Sequence, residues 1–156
     1  MRVAIYKIPI QEKVLNNLGF LLEKVSTQYS VGVLCDSSIE TIVDNVFWTF
    51  STNVFLPHDI ATGSIEEDEK QPVLISGKLE LLNRKVLCLL TSKDLFDVLN
   101  KKKDFLNKVK CVVYITQEDF SACDLIDKIS TLNVDSIDVF EKVNKKWKKL
   151  HNLLSR

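Results

Sequence analysis

Residues 30–50 read SVGVLCDSSIETIVDNVFWTF, and their pattern decides the fold. Residues 30–34 are a short apolar run rich in valine, which is typical of a strand buried on both faces. Residues 37–50 then carry apolar side chains at helical spacing, and Ser37 with Glu40 matches the Ser-x-x-Glu capping box that opens many helices. The segment is therefore predicted to be a buried strand followed by a capped amphipathic helix.

The same alternation of strand and helix continues in both directions along the chain. Apolar runs bounded by turn residues predict strands, and apolar residues at a spacing of three to four predict helices. The last two runs predict a hairpin, or a strand followed by a frayed tail. The further predicted elements are strands at 3–8, 72–75, 85–90, 111–115, 137–140 and 147–150, and helices at 14–25, at 95–105 and from Ser121.

Short apolar strands that alternate with helices favour parallel pairing, because each crossover needs a helix that packs back onto the sheet. We therefore predict a three-layer α/β/α sandwich with a mostly parallel central sheet. Composition is that of an ordinary globular protein, with 46% hydrophobic and 27% charged residues, so one domain over 1–156 is expected. Residues 59–71 contain Gly63 and an acidic cluster, and are expected to be a solvated loop.

The overall charge excludes simple electrostatic attraction to DNA or to an anionic membrane. The 21 basic and 21 acidic side chains cancel, so any contact with DNA is expected to be mainly indirect. The amino terminus enters a strand pattern without an apolar leader, and no later apolar run approaches the roughly 20 residues that span a bilayer. A cytoplasmic protein without membrane contact is the expectation.

The cysteines and histidines do not form a metal-binding pattern. No Cys-x-x-Cys pair is present, and neither His58 nor His151 has ligand spacing to a cysteine, so no metal is expected. Cys35 precedes the predicted helix start, where the helix dipole could lower the pKa of a thiol. Neither histidine has a sequence spacing that links it to Cys35, so a structural role is favoured. The four cysteines, expected to be reduced, are Cys35, Cys88, Cys111 and Cys123.

The predicted strand ends do not carry a nucleotide-binding pattern. The turns after Ile8 and Leu34 would be the places for a phosphate loop, but both lack glycine, so the Walker and Rossmann patterns are absent. No cofactor and no catalytic residue are expected. A small nucleotide-binding α/β enzyme remains the alternative from a different functional class, because the fold alone does not decide function.

Aromatic residues cluster where the second helix ends. Residues 47–58 include Trp48 and Phe55, and the turns on either side carry no nucleophile, metal cluster or phosphate-cradling glycine loop. This indicates an apolar surface for another protein. The structural alternative is that Trp48 and Phe50 belong to the core and that Pro57 and His58 only shape the turn.

Two lysine clusters are the only local positive patches. Such runs are usually solvated faces, but a cluster can also capture an acidic peptide or a phosphate backbone. The carboxyl-terminal cluster is the better candidate because it surrounds Trp147. The clusters are Lys101, Lys102, Lys103, Lys108 and Lys110, and then Lys145, Lys146, Lys148 and Lys149.

Taken together, these features resemble the chi subunit of bacterial DNA polymerase III over most of the chain. The motifs that carry the resemblance are Trp48, then Phe-Leu-Pro-His at 55–58, Gln-Pro-Val at 71–73 after the acidic loop, Val-Val-Tyr-Ile at 112–115 before a helix, and the closing Trp147. The resemblance implies a non-catalytic accessory subunit in DNA replication. Such a subunit would join the psi subunit, and through it the clamp-loader complex, to the acidic, phenylalanine-terminated tail of single-stranded DNA-binding protein.

The resemblance also implies where each partner would bind. Phe55 is expected on the psi-facing surface, supported by Leu56, Pro57 and Trp48. An adaptor of the same fold that serves a repair helicase is an alternative, since an apolar patch does not name its partner.

For the acidic tail, the family's basic and aromatic helix positions fall here on Asp124, Asp127 and Lys128. Only the lysine matches the family pattern, and the two aspartates would repel an acidic peptide. The tail site is therefore assigned to Lys128 together with Trp147 and Lys148.

Overall fold

The structure is a computed structural model that describes residues 1–82, 86–101, 103–119, 124, 127 and 133–155. Within these residues the strands are β1 (Arg2–Lys7), β2 (Val31–Leu34), β3 (Asp59–Ile60), β4 (Val73–Ser76), β5 (Cys88–Thr91), β6 (Cys111–Thr116), β7 (Ser136–Val143) and β8 (Lys146–Ser155). The helices are α1 (Val14–Ser26), α2 (Glu40–Thr49), α3 (Ile65–Asp68), α4 (Leu95–Lys101) and α5 (Lys103–Leu106), with 3₁₀ turns at Ser37–Ile39 and Leu79–Leu82.

The described strands form one sheet in the order β3-β4-β2-β5-β6-β1-β7-β8. All neighbouring pairs are parallel except β7 and β8, which confirms the predicted α/β fold with a mostly parallel sheet. Strands β2, β4 and β5 are buried at every position, as their continuous apolar sequences require.

Each face of the sheet carries its own hydrophobic core. On one face, α1 packs against β2 and β6 and α2 packs against β3 and β4, through side chains that include Leu22, Val43 and Phe47. On the other face, α4 and α5 supply Leu99 and Phe105. The alternation of side chains along β1 serves both cores, because consecutive residues of a strand point to opposite faces.

The predicted capping box at the start of α2 is wrong. Ser37 begins a 3₁₀ turn, and neither Asp36 before that turn nor Ile39 before α2 makes a side-chain cap. The Glu40 carboxylate instead accepts a hydrogen bond from the Gly77 N–H, just beyond β4. A Cβ at Gly77 would lie 2.6 Å from the Ser37 backbone, so the absence of a side chain lets the two segments touch. A tertiary contact thus replaces the local cap.

The loop at 59–71 is more ordered than its composition predicts. Most of its residues are exposed, but Asp68 is buried. Its carboxylate accepts hydrogen bonds from the Thr62 N–H and hydroxyl and from the Gly63 N–H, where φ is +85°. One member of the acidic cluster therefore organises the loop, while the others face solvent.

The chain end forms the predicted hairpin and not a frayed tail. Asn144 and Lys145 connect β7 to β8 with φ angles of 50° and 64°. Positive φ at both central residues defines the two-residue turn that matches the twist of a hairpin. Strand β8 continues for ten residues and forms one edge of the sheet.

Candidate protein-interaction surfaces

Two aromatic rings stand on the surface beside the end of α2. Trp48 is 52% exposed and Phe55 is 67% exposed, although both are large apolar side chains. Their ring centroids lie 5.5 Å apart with the planes inclined at 42°. Pro57 is exposed next to them. We call Trp48, Phe55 and Pro57 the aromatic surface.

The loop that carries Phe55 is fixed by a buried histidine. His58 Nδ1 lies 2.5 Å from the Leu56 carbonyl oxygen, and Nε2 lies 3.2 Å from the Asp44 carbonyl oxygen and 3.3 Å from its carboxylate. The His58 ring also lies 4.7 Å from the Trp48 ring and 5.5 Å, edge-on, from the Phe47 ring. His58 therefore joins the loop to both the exposed and the buried side of α2.

The four residues 55–58 alternate between solvent and core. Phe55 and Pro57 point outward, whereas Leu56 is only 6% exposed and belongs to the core beneath α2. Of the residues expected to support Phe55, Leu56 does not reach the surface, and its side chain anchors the loop from below. Of the two residues that the structural alternative places in the core, Trp48 is exposed, whereas Phe50 is half-buried and packs on that core.

A second apolar exposure was missed by the sequence reasoning. Phe20 on α1 is 56% exposed and packs edge-on against Phe50, with the ring centroids 5.5 Å apart. Ile42 on α2 was expected to face inward and is 49% exposed. Helical spacing alone could not separate Ile42 from the core stripe of α2, because the apolar face of α2 is wider than the surface that the sheet covers.

Two of the residues expected to form the acidic-tail site, Trp147 and Lys148, lie on opposite faces of the sheet. Trp147 is half-buried and contacts Tyr6 edge-on at 4.9 Å, while Tyr6 stacks on Phe140 at 4.7 Å. Lys148 is the next residue of β8, so it points to the opposite face of the sheet. Trp147 therefore supports the sheet, and Lys148 is exposed on the other side.

The third residue assigned to that site, Lys128, lies outside the described residues. The helical positions Asp124 and Asp127 are described, and both are exposed. Among the other lysines, Lys108 and Lys110 are exposed, while Lys102 and the side chains of Lys101 and Lys103 are outside the description.

Lys149, in the carboxyl-terminal lysine cluster, takes part in a structural ion-pair network. Lys149 Nζ lies 2.6 Å from the buried Asp138 carboxylate, which also accepts hydrogen bonds from the Arg2 guanidinium at 2.7 and 3.1 Å. Burial alone would raise the pKa of Asp138, but the hydrogen bonds and charges of Lys149 and Arg2 hold it below its usual value. This ion-pair network links β1, β7 and β8, and no local sequence signal indicates it.

The residues considered for catalysis or metal binding do not form such a site in the described part of the chain. Cys35 is buried, and desolvation with the nearby carboxylates of Glu40 and Asp36 raises the pKa of its thiol to about 11. A thiol of that pKa is a poor nucleophile. Cys88 and Cys111 face each other on β5 and β6 as free, buried thiols, and Cys123 lies outside the described residues.

Across the described ranges, no three metal-ligating side chains cluster together. Nor does any helix in those ranges have the length and apolarity to cross a bilayer.

Comparison with known proteins identifies a family. The family model described as DNA polymerase III chi subunit, HolC, matches residues 2–128. No curated protein matches the chain. The matched region extends from β1 past β6 and includes the whole aromatic surface, whereas β7 and β8 lie beyond it.

Proposed function

The chain belongs to the DNA polymerase III chi subunit family, a replication accessory subunit, and on that premise we propose that it is a non-catalytic adaptor. In this role it joins the psi subunit, and through psi the clamp-loader complex, to single-stranded DNA-binding protein. It works in the cytoplasm, and its contact with DNA is mainly indirect. The observation that carries the proposal is an exposed aromatic surface within the family-matched region.

The aromatic surface is the proposed psi-binding site. A fully buried phenylalanine covers about 200 Å² of apolar surface, and Phe55 leaves about two-thirds of its side chain for a partner to cover. At 25 cal/mol per Å², this area corresponds to about 3 kcal/mol of binding free energy as an upper bound. The tilted contact with Trp48 and the buried His58 hold Phe55 in place before binding, so little entropy is lost there.

The acidic tail of single-stranded DNA-binding protein is the proposed ligand of the carboxyl-terminal lysines. Lys145, Lys146 and Lys148 are exposed on the hairpin and form no ion pair with the described residues. They would attract the carboxylates of the tail, and Lys128 would add a further charge. Trp147 contributes by holding the hairpin against Tyr6.

The absence of intrinsic catalysis is part of the proposal. It is supported by the buried, high-pKa thiol of Cys35 and by the turns after Ile8 and Leu34, which lack glycine. A nucleotide-binding enzyme is the competing function. A thermal-shift titration with ATP and GTP separates the two, because a ligand at about 100 times its dissociation constant adds about 2.7 kcal/mol of stability.

A binding experiment tests the psi assignment. Phe55→Ala should weaken binding of purified psi, measured by calorimetry, by about 30-fold or more, because the central aromatic contact is lost. Phe20→Ala is the matched control, since Phe20 is also an exposed phenylalanine, at 56% against 67% for Phe55, and lies outside the aromatic surface. Normal binding by Phe55→Ala would place the psi interface elsewhere. The aromatic surface would then serve a different partner, such as a repair helicase.

A further inference from the structure

The two edges of the sheet are protected to different extents. At one edge, β3 has only two residues, and the N–H of Ile60 donates to the Asp59 carboxylate at 2.8 Å. At the other edge, β8 extends over ten residues, and no described element pairs with its outer side. Its register with β7 shifts beyond Lys149, so the regular part of this edge is the stretch 146–149 next to the turn. A regular unpaired edge is a template for another strand.

The hairpin geometry identifies the free backbone groups of β8. A two-residue turn makes its flanking residues, Val143 and Lys146, a hydrogen-bonded pair. Hydrogen-bonded and non-hydrogen-bonded pairs then alternate along an antiparallel ladder. Lys148 therefore bonds inward to β7, whereas the N–H and C=O groups of Trp147 and Lys149 point to the open edge.

The charges along this edge select the kind of strand that can pair with it. Lys145, Lys146 and Lys148 are exposed and form no ion pair with the described residues, and Lys146 and Lys148 lie on the same face of β8. A second copy of β8 would bring lysines next to lysines, which is unfavourable. A strand rich in aspartate and glutamate would meet opposite charge along the same path.

The edge is also rigid before a partner arrives. Trp147 packs against Tyr6, and the ion pair between Lys149 and Asp138 joins β8 to β7. A preformed strand loses little conformational entropy when another strand is added. This distinguishes β8 from a tail that would have to fold upon binding.

We propose that the outer edge of β8 binds an extended acidic segment of another protein by strand addition. The segment pairs with the backbone at Trp147 and Lys149, and its carboxylates lie near Lys146 and Lys148. This inference rests on the proposed function in its choice of an acidic partner, but it adds a binding mode and a place beyond residues 2–128, which the family model matches.

Amide hydrogen exchange measured by NMR tests the binding mode. The probe is the blocked peptide Glu-Val-Asp-Val-Glu-Val-Asp, added to the full chain. The Trp147 and Lys149 amides should exchange rapidly in the free protein and slow by about tenfold or more at saturation, while those of Lys146 and Lys148 stay protected throughout. Binding without protection at Trp147 and Lys149, or no binding at millimolar peptide, overturns strand addition.

Charge variants test the selection of the partner. Lys146→Gln with Lys148→Gln should weaken the peptide about fivefold. Lys70→Gln with Lys108→Gln changes the net charge equally at exposed positions elsewhere and should have no effect. Equal weakening by both pairs, or equal binding of a peptide with lysine at the acidic positions, overturns the charge argument.

Two further outcomes are informative. Protection of Trp147 and Lys149 that rises with protein concentration in the absence of peptide identifies a second copy as the occupant and overturns the proposal. Phe55→Ala should bind the peptide as the unmodified chain does, because Phe55 is not on β8. A failure of the psi assignment therefore leaves the peptide result intact, and the reverse also holds.

Discussion

Two phenylalanines eight residues apart should behave in opposite ways when each is replaced by alanine. Phe47 is buried in the core beneath α2, whereas Phe55 is two-thirds exposed. Phe47→Ala removes a buried ring and leaves a cavity, which should lower the free energy of unfolding by about 3–5 kcal/mol. Phe55→Ala loses only the contact with the Trp48 ring and should lower it by less than about 1 kcal/mol.

Urea denaturation followed by circular dichroism measures both effects on the same scale. The slope of unfolding free energy against urea should be equal in the two variants, since each unfolds the same chain. The reasoning is refuted if Phe55→Ala destabilises by more than about 2 kcal/mol, because Phe55 would then be a core residue and not a partner contact.

Three further predictions concern the fold and its ionisable groups. Gly77→Ala should destabilise by more than about 1 kcal/mol in the same assay, because the new Cβ would meet the Ser37 backbone at 2.6 Å; an unchanged midpoint would contradict this contact. Asp138 has a lowered pKa, so its contribution is complete above the unfolded pKa of about 4 and is lost as pH falls through the folded pKa. Asp138→Asn should therefore be less stable than the unmodified chain at pH 7, and the difference in unfolding free energy should shrink in acid. A difference that grows in acid would contradict the lowered pKa of Asp138. Cys35 should react with Ellman's reagent at pH 8 far more slowly in the native chain than in urea, because its native pKa is about 11; equal rates would show an accessible thiolate.

Much of the fold follows from patterns that are local in sequence. Apolar runs predicted β2, β4 and β6, and the helical spacing of residues 14–25 predicted α1. Both signals arise because each element must bury one face or both. The predicted hairpin was correct as well, although the sequence did not show that β8 reaches Ser155.

The failures lie where distant segments decide the outcome. Glu40 fits a local capping box, but the Gly77 amide offers it a partner that is close only after folding. Ile42 fits the inward stripe of α2, but the sheet does not extend far enough to cover it. The composition of residues 59–71 predicts a solvated loop, but it cannot reveal that Asp68 accepts hydrogen bonds from its own loop.

The interaction surfaces show the same division. The aromatic residues at 47–58 indicated a partner surface, and the exposure of Trp48 and Phe55 agrees with it. The sequence did not reveal that alternation sends Leu56 into the core. In the carboxyl-terminal lysine cluster, Trp147 and Lys148 are neighbours in the sequence, but the strand geometry places them on opposite faces of the sheet.

The most direct measurement of the central claim is hydrogen–deuterium exchange by mass spectrometry on the full chain, alone and in complex with purified psi. The account predicts that protection on binding is concentrated in peptides covering residues 47–58, with peptides from α4 unchanged. Protection confined to α4 or to β8, with residues 47–58 exchanging as in the free chain, would contradict it.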